Sequence, residues 1–272
     1  MANLKKILLL IIAVVSIVIF AVWHTTGGYL ESGNAKFSNG DWNGAIINYN
    51  KAIRLRPDFC MAYYARGQAK YRLGDLDGAI VDESKAIELH PKATNPYITR
   101  GLAKSDKGDS EAALADFDEA IRLNPSHASA FYNRGREKGK KGNRDGAIAD
   151  YNEAIRLNPS EALAYMNRGV EKNNKSDFDG AIADYTKAIK LNPNYAPSYY
   201  NRGGAKFDKD DLDGAIADYD KAIQLTPNDF AIYYNRGLAK RAKGDLDGAK
   251  NDFTKTLELK PDFADATKHL MN

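Results

Sequence analysis

Residues 63–91 read YYARGQAKYRLGDLDGAIVDESKAIELHP, and the 272-residue chain writes nearly the same sentence again at a fixed spacing. A proline closes each copy, at Pro57, Pro91, Pro125, Pro159, Pro193, Pro227 and Pro261, always 34 residues apart. A glycine keeps the same interval through Gly33, Gly67, Gly101, Gly135, Gly169, Gly203 and Gly237, and an alanine through Ala45, Ala79, Ala113, Ala147, Ala181, Ala215 and Ala249. A period that never slips identifies a chain of repeated supersecondary units, each too small to bury its apolar face alone.

Each unit decodes as two helices. Ala62 to Leu73 carries one glycine and no proline, with Tyr63, Tyr64 and Tyr71 at helical spacing, and Gly74-Asp75 stops it. In the helix that follows, Asp75 or Asp77 is placed to cap the free N–H groups, Ala79, Ile80, Ala86, Ile87 and Leu89 form the apolar stripe, and Pro91 ends it. A mid-helix glycine costs about 1 kcal/mol against alanine, so a glycine in every copy needs a packing reason. The sequence suggests that Gly67, Ala79 and Ala86 allow close backbone approach, with Tyr63 filling the space beside them.

An aromatic, Gly, Ala, a second aromatic, Ala and Pro in this order resembles the tetratricopeptide repeat family, over Thr26 to Phe263, seven copies and 238 residues. The resemblance implies an all-α fold, a right-handed α-solenoid of seven helix-turn-helix repeats at 26–59, 60–93, 94–127, 128–161, 162–195, 196–229 and 230–263, with a short helical tail at 264–272. Three departures stand out. Thr256 replaces the second alanine in the last copy, and Glu83 replaces the second aromatic in the second copy. The large apolar residue expected before each glycine gives way to Arg66, Arg100, Arg134, Arg168, Arg202 and Arg236, with Ser32 in the first copy.

That arginine series has a counterpart in Asp82, Asp116, Asp150, Asp184, Asp218 and Asp252. The first copy loses both together, with Ser32 for Arg and Asn48 for Asp, which predicts six structural Arg–Asp salt bridges within repeats, from Arg66 with Asp82 to Arg236 with Asp252. A lysine recurs four residues after the arginine position, from Lys36 and Lys70 to Lys240. It persists in the first copy without the pair, so its stem is expected over the core and its ammonium in water.

Ile7 to Trp23, ILLLIIAVVSIVIFAVW, is an uncharged run of 17 residues. As a helix it spans about 26 Å, near the lower limit for a bilayer. Lys5 and Lys6 flank one end, and the next basic residue after the other is Lys36. This asymmetry predicts a single-pass signal-anchor at 7–23, a cytoplasmic N-terminus at 1–6, a flexible joint at 24–28 through Gly27-Gly28, and repeats on the extracytoplasmic side. A signal peptide cleaved near Thr25-Thr26-Gly27, leaving a soluble secreted or periplasmic adaptor or co-chaperone, is the alternative.

The resemblance also implies a concave face, lined by first helices, that meets an extended peptide. Carried over by register it holds Leu30, Asn34 and Phe37; Tyr64, Gln68 and Tyr71; Ile98, Leu102 and Asp106; Tyr132, Arg136 and Lys140; Met166, Val170 and Asn174; Tyr200, Gly204 and Phe207; and Tyr234, Leu238 and Arg241. Aromatic and aliphatic residues predominate there, which suits a protein or peptide partner; packing between neighbouring first helices is the competing account. Asn133, Asn167, Asn201 and Asn235 stand at one position of the family's carboxylate clamp, but the lysines that clamp needs are missing.

Setting aside Lys5 and Lys6 leaves 37 basic residues against 36 acidic, which argues against nucleic acid as the main partner. The densest basic cluster, Arg136, Lys138, Lys140, Lys141 and Arg144, reads as a solvated face, with a surface for an acidic partner or lipid headgroups as the competing account. Asp75, Asp77 and Gly78 lack the remaining ligands of a calcium loop. His24, His90, His127 and His269 show no metal spacing, and the single Cys60 has no histidine near it in sequence. The sequence therefore points to a non-catalytic scaffold with no cofactor, and to the thinly covered C-terminal end as a candidate self-association surface.

Overall fold

The computed structural model describes residues 2–271. Met1, Asn272 and the side chains of residues 2–5, 8 and 271 lie outside the described residues, including the Lys5 side chain and the extremes of the segments expected at 1–6 and 264–272.

The described residues form helices and no strand. In order they are α1 (Ala2–Ser38), α2 (Trp42–Leu55), α3 (Cys60–Arg72), α4 (Leu76–Leu89), α5 (Thr94–Asp106), α6 (Ser110–Leu123), α7 (Ala128–Lys140), α8 (Arg144–Leu157), α9 (Ala162–Asn173), α10 (Phe178–Leu191), α11 (Ala196–Asp208), α12 (Leu212–Leu225), α13 (Phe230–Lys243), α14 (Leu246–Leu259) and α15 (Ala264–Met271). The chain divides into two compact units, one ending at Asn133 and one starting at Arg134. In the first, α1 packs on α2, α3 on α4 and α5 on α6; in the second, α9 packs on α10, α11 on α12 and α13 on α14, and α15 covers α14.

Local chemistry sets the helix starts. Asp41, Asp75, Asp109, Asn143, Asp177, Asp211 and Asp245 each accept a hydrogen bond from the N–H three residues on, satisfying a donor that the helix leaves open. Of the two capping candidates it is therefore Asp75 that caps, while Asp77 pairs with Lys107 of the following repeat. The turn before five of these caps needs a left-handed residue, and Gly40, Gly74, Gly108, Gly142 and Gly244 sit there at φ of +77 to +91°. Ser176 and Asp210 hold the same conformation, at φ 62° and 65°, without glycine's freedom.

The repeat glycines turn out to accommodate rings more than backbone. A Cβ on Gly203 would lie 2.9 Å from the ring of Tyr219, and Gly33, Gly101, Gly135, Gly169 and Gly237 face Tyr49, Phe117, Tyr151, Tyr185 and Phe253 in the same way. Each second-helix ring lies against its glycine and is nearly fully buried, near alanines such as Ala215 and Ala222 that are 0% exposed. The tyrosines of the Tyr63 series lie elsewhere, with the Arg66, Arg100, Arg168, Arg202 and Arg236 guanidinium groups 5.4–5.8 Å from the centres of their rings.

Each arginine grips its aspartate through two bonds. Arg66 Nε and Nη2 donate to Asp82 at 2.8 and 2.6 Å, and Arg100–Asp116, Arg134–Asp150, Arg168–Asp184, Arg202–Asp218 and Arg236–Asp252 repeat the fork. The lysine expected in water instead joins this group. Lys70, Lys104, Lys138, Lys172, Lys206 and Lys240 all stand 2.8–2.9 Å from the same aspartates, because a nearly buried carboxylate with free lone pairs draws in a second cation. Lys36 has no such aspartate and lies 4.0 Å from Asp41. The arginine's remaining nitrogen reaches back one repeat, Arg66 Nη1 to Asn50, Arg100 to Ser84, Arg168 to Asn152, Arg202 to Thr186 and Arg236 to Asp220. In the first repeat a neutral pair, Asn48 Nδ2 donating to Ser32 Oγ at 3.2 Å, stands in for the charged group.

The joint expected at 24–28 is absent. Gly27 and Gly28 lie inside α1, which runs unbroken from the apolar segment into the first repeat. Two glycines weaken a helix, and the Thr25 and Thr26 hydroxyls that bond back to the Ala21 and Val22 carbonyls do not strengthen it, but Thr26 and Leu30 are buried. That burial holds the helical path where glycine alone would let it bend.

Candidate functional site

Within each unit the first helices of successive repeats touch, and the side chains on that shared face follow the register expected for ligand contact. In the first unit much of the face is spent on internal bonds. Tyr49 Oη donates to Asn34 at 2.9 Å, Gln68 Nε2 donates to Tyr64 at 2.7 Å, and Tyr71 Oη donates to Asp106 at 2.6 Å. Leu30 and Ile98 are buried, and Phe37 and Leu102 pack against the core, so these four present little to a ligand. Tyr132 is half-buried. A hollow of about 500 Å³ lies at the N-terminal ends of α3 and α5, between Met61, Tyr64, Asn95 and His127; of the expected face it takes in only Tyr64. Burial pushes the Tyr64 phenol up to about 12, with Glu83 adding to the shift, and burial lowers the His127 imidazole.

The second unit is different. Val170, Asn174, Tyr200, Gly204 and Phe207, all expected from register, gather around one hollow of about 350 Å³ between α9, α11 and α13. Asn173, Tyr185, Asn201, Asp208, Tyr219 and Asn235 complete its wall. Asn235 Nδ2 donates to Tyr200 Oη at 2.7 Å and to the Ala231 carbonyl at 3.0 Å, and Asn201 Nδ2 points at Met166 Sδ, 3.8 Å away. Burial, then Asp229, raises the Tyr200 phenol, so it stays protonated. Of the remaining expected residues, Lys140 donates to Glu137 at 2.6 Å, and Arg136 keeps Nε and Nη2 shielded from water without a protein partner. Tyr234, Leu238 and Arg241 lie by α15: His269 stacks on Phe253 and Tyr234 and contacts Arg241, while Leu238 and Leu270 pack against the cluster of Ala249, Phe253 and Ala266.

Sequence reasoning missed part of this wall for a traceable reason. Phe37, Tyr71, Phe207 and Arg241 stand four residues after their repeat glycine, but Asp106, Lys140 and Asn174 stand five after. The residues in true register are Ser105, Gly139 and Asn173, so Asn173 was passed over. Tyr219 comes from a second helix and Asp208 from the end of α11, which a first-helix register does not sample. Among the described residues no group of three or more His, Cys, Asp or Glu side chains could hold a metal ion.

Hairpins of two helices repeating every 34 residues, ring over glycine, define a helical-repeat interaction protein. Tetratricopeptide repeat models match residues 33–74, 98–136, 135–174, 162–195, 203–244 and 230–263, and the chain belongs to the tetratricopeptide repeat family. Solved structures of the same fold include a tetratricopeptide repeat protein from Parabacteroides merdae, 22% identical with a TM-score of 0.65, covering 92% of this chain and 100% of that one. YrrB, described as having an unusual peptide-binding site, is 23% identical with a TM-score of 0.62, covering 70% of this chain and 98% of its own. The Cut9-Hcn1 structure of the APC/C is 20% identical with a TM-score of 0.71 over 88% of this chain, which spans only 47% of the length of the chain it matches there. No match was found among curated proteins.

The fold is that of a protein-interaction scaffold, and the chain carries one N-terminal helix long and apolar enough to cross a membrane.

Proposed function

We propose that this chain is a membrane-tethered, non-catalytic scaffold that binds an extended peptide or protein segment along its first-helix face, with its N-terminus cytoplasmic and its repeats extracytoplasmic. The observation that carries the binding half is the hollow between α9, α11 and α13, where three successive first helices converge on Tyr200 and Phe207. Half-buried aromatic rings beside amide groups in a shaped recess suit an extended chain, which needs both apolar contact and partners for its own amides. YrrB shares the fold and is described as a peptide binder, which is consistent with this reading.

The tether rests on α1. Ile7, Leu9, Leu10, Ile17, Phe20 and Trp23 are each more than half exposed, a long apolar surface that nothing in the protein covers. Trp23 marks the end of that run, and the Arg56 guanidinium lies 4.5 Å from the centre of its ring, an aromatic and a cation paired as at a lipid–water boundary. Helical continuity through residues 24–30, with Thr26 and Leu30 buried, favours a retained anchor over cleavage near Thr26. Self-association through the C-terminal end has weaker support, since α15 already covers much of that surface and leaves Leu246 exposed.

The test is display of randomised twelve-residue peptides against the full chain in uncharged detergent, with photocrosslinkers placed at Phe207 and, as a control, at the outward-facing Lys221. Enriched peptides that crosslink from Phe207 and not from Lys221 are expected. A library that enriches nothing, or peptides captured equally from both positions, overturns the binding reading. Carbonate extraction of membranes and the mass of the mature N-terminus test the tether: a chain released as soluble protein, or one beginning near Thr26, overturns it.

A further inference from the structure

The hollow between α9, α11 and α13 has a chemical bias that its shape alone does not reveal. Five of its eleven lining residues are Asn or Asp, and none is Lys or Arg. Asn173 Oδ1 is shut off from water and accepts no hydrogen bond from the protein. Asn235 has committed its amide N–H groups to Tyr200 and to the Ala231 carbonyl, so what it has left to offer is an acceptor oxygen. Asn201 likewise turns its nitrogen toward Met166. At the rim, Asp208 is exposed and carries the one formal charge among the lining residues. The walls are rings: Tyr200 and Tyr219 stand 6.0 Å apart, tilted by 53°, with Phe207 and Tyr185 beside them.

A carboxylate at the rim with no lysine or arginine among the lining residues, amide oxygens and several aromatic rings are what a cation on a long apolar stem finds favourable. An acidic side chain would meet Asp208 with no lysine or arginine among the lining residues to offset it, and an aliphatic one would leave that carboxylate without a partner. One residue adds to the space. In this chain the equivalent of Gly204 is Asn34, Gln68, Leu102, Arg136, Val170 or Leu238 in the other repeats, and only here is it glycine. A Cβ at Gly204 would meet only Tyr219 Oη, at 3.8 Å, so the glycine is not forced by helix packing as Gly203 is. The hollow that it borders has a volume of about 350 Å³, enough to take a long side chain.

We infer that this hollow is the specificity pocket for one arginine or lysine side chain of the bound segment, its cation held by Asp208 at the rim and its stem against Phe207 and Tyr200. The inference rests on the peptide-binding reading above and deepens it by naming the residue class the site selects.

The experiment takes peptides enriched on the full chain, as above, and measures their fluorescence anisotropy after replacing each residue in turn. For the wild type, one position is expected to require Arg or Lys, with norleucine weakening binding at least tenfold and glutamate more. Gly204→Leu fills the hollow and is expected to remove that requirement while leaving the other positions' preferences in place. Gly204→Ala, which fits without a clash, should reduce it about threefold and serves if the leucine variant fails to fold. Asp208→Lys is expected to turn the preference at that position toward Glu or Asp. Enriched peptides with an acidic or aliphatic residue at the position sensitive to Gly204→Leu, or a basic requirement that survives both Gly204 variants, overturn the pocket but not the peptide-binding reading. A wild-type library that enriches nothing overturns both.

Discussion

The second and sixth repeats share a plan and differ in what occupies one slot. In the sixth, the ring of Tyr219 covers Gly203 and reaches the hollow beyond it, so one residue both fills the core and lines the hollow. In the second, Glu83 points at Gly67, with its Oε1 2.6 Å from where a Cβ would stand, and neither carboxyl oxygen has a hydrogen-bond partner. Burial, reinforced by the neighbouring Asp82 charge, pushes the Glu83 carboxyl up to about 10, so it is neutral at physiological pH. The difference teaches that the glycine defines a slot whose occupant is chosen separately. An acid in it gives up both the packing of a ring and the link to the face.

The comparison breaks most severely at the charged group that both repeats keep. Asp218→Ala would strand Arg202 and Lys206, each about four-fifths buried, and is expected to cost about 3 kcal/mol, read as a lowered urea midpoint. The first repeat indicates the remedy, because Ser32 and Asn48 satisfy each other without charge. Adding Arg202→Ser to Asp218→Asn should therefore recover part of the loss of Asp218→Asn alone. A double variant no better than the single one would show that Arg202 is held by its bond to Thr186 rather than by Asp218.

The slot itself is the next test. Glu83→Tyr restores a ring over Gly67 and is expected to stabilise the chain by about 2 kcal/mol, the order of a buried aromatic's contribution. Glu83→Gln should change little at pH 5 and should abolish a pH dependence that the wild type shows. The sign follows from proton counting: between the ordinary carboxyl pKa of 4.5 and about 10 the folded chain holds a proton at Glu83 that the unfolded chain has released. Stability from this group is therefore greatest below 4.5 and declines as pH rises through that window, with a limiting slope of about 1.4 kcal/mol per pH unit. Urea midpoints for wild type and Glu83→Gln that run parallel from pH 5 to 9 would remove Glu83 from the account.

The smallest effect expected is at the turns. Gly74 and Asp210 hold the same left-handed backbone in the second and sixth repeats, one at no steric penalty and one against it. Asp210→Gly, and Ser176→Gly in the fifth repeat, should each stabilise by about 0.5 kcal/mol, since relief of the strained conformation is partly offset by glycine's greater freedom when unfolded. A midpoint that falls in both variants would mean that their side chains hold the turns in some other way.

Much of this architecture was legible because a seven-fold repeat is its own control. The Arg–Asp fork could be inferred from the joint replacement by Ser32 and Asn48, a signal that needs no structure. The lysine's place in the same group was not visible, because Lys36 persists where the aspartate is lost and so shows no covariation. The arginine's reach to the preceding repeat had a signal that went unused: Asn50, Ser84, Asn152, Thr186 and Asp220 are all acceptors at one register. The hollow was half legible, since register finds Tyr200 and Phe207 but cannot bring in Tyr219 from a second helix. Gly27-Gly28 misled because glycine content is a local signal, whereas the burial of Thr26 and Leu30 is tertiary.

That unbroken α1 has a mechanical meaning. For a chain held in a bilayer by Ile7–Trp23, the first repeat is welded to its mast, so its heading is inherited from the tilt and spin of the embedded segment. One alanine inserted after His24 would turn the first repeat by about 100° around that axis, a rotation that a slack leash would never transmit.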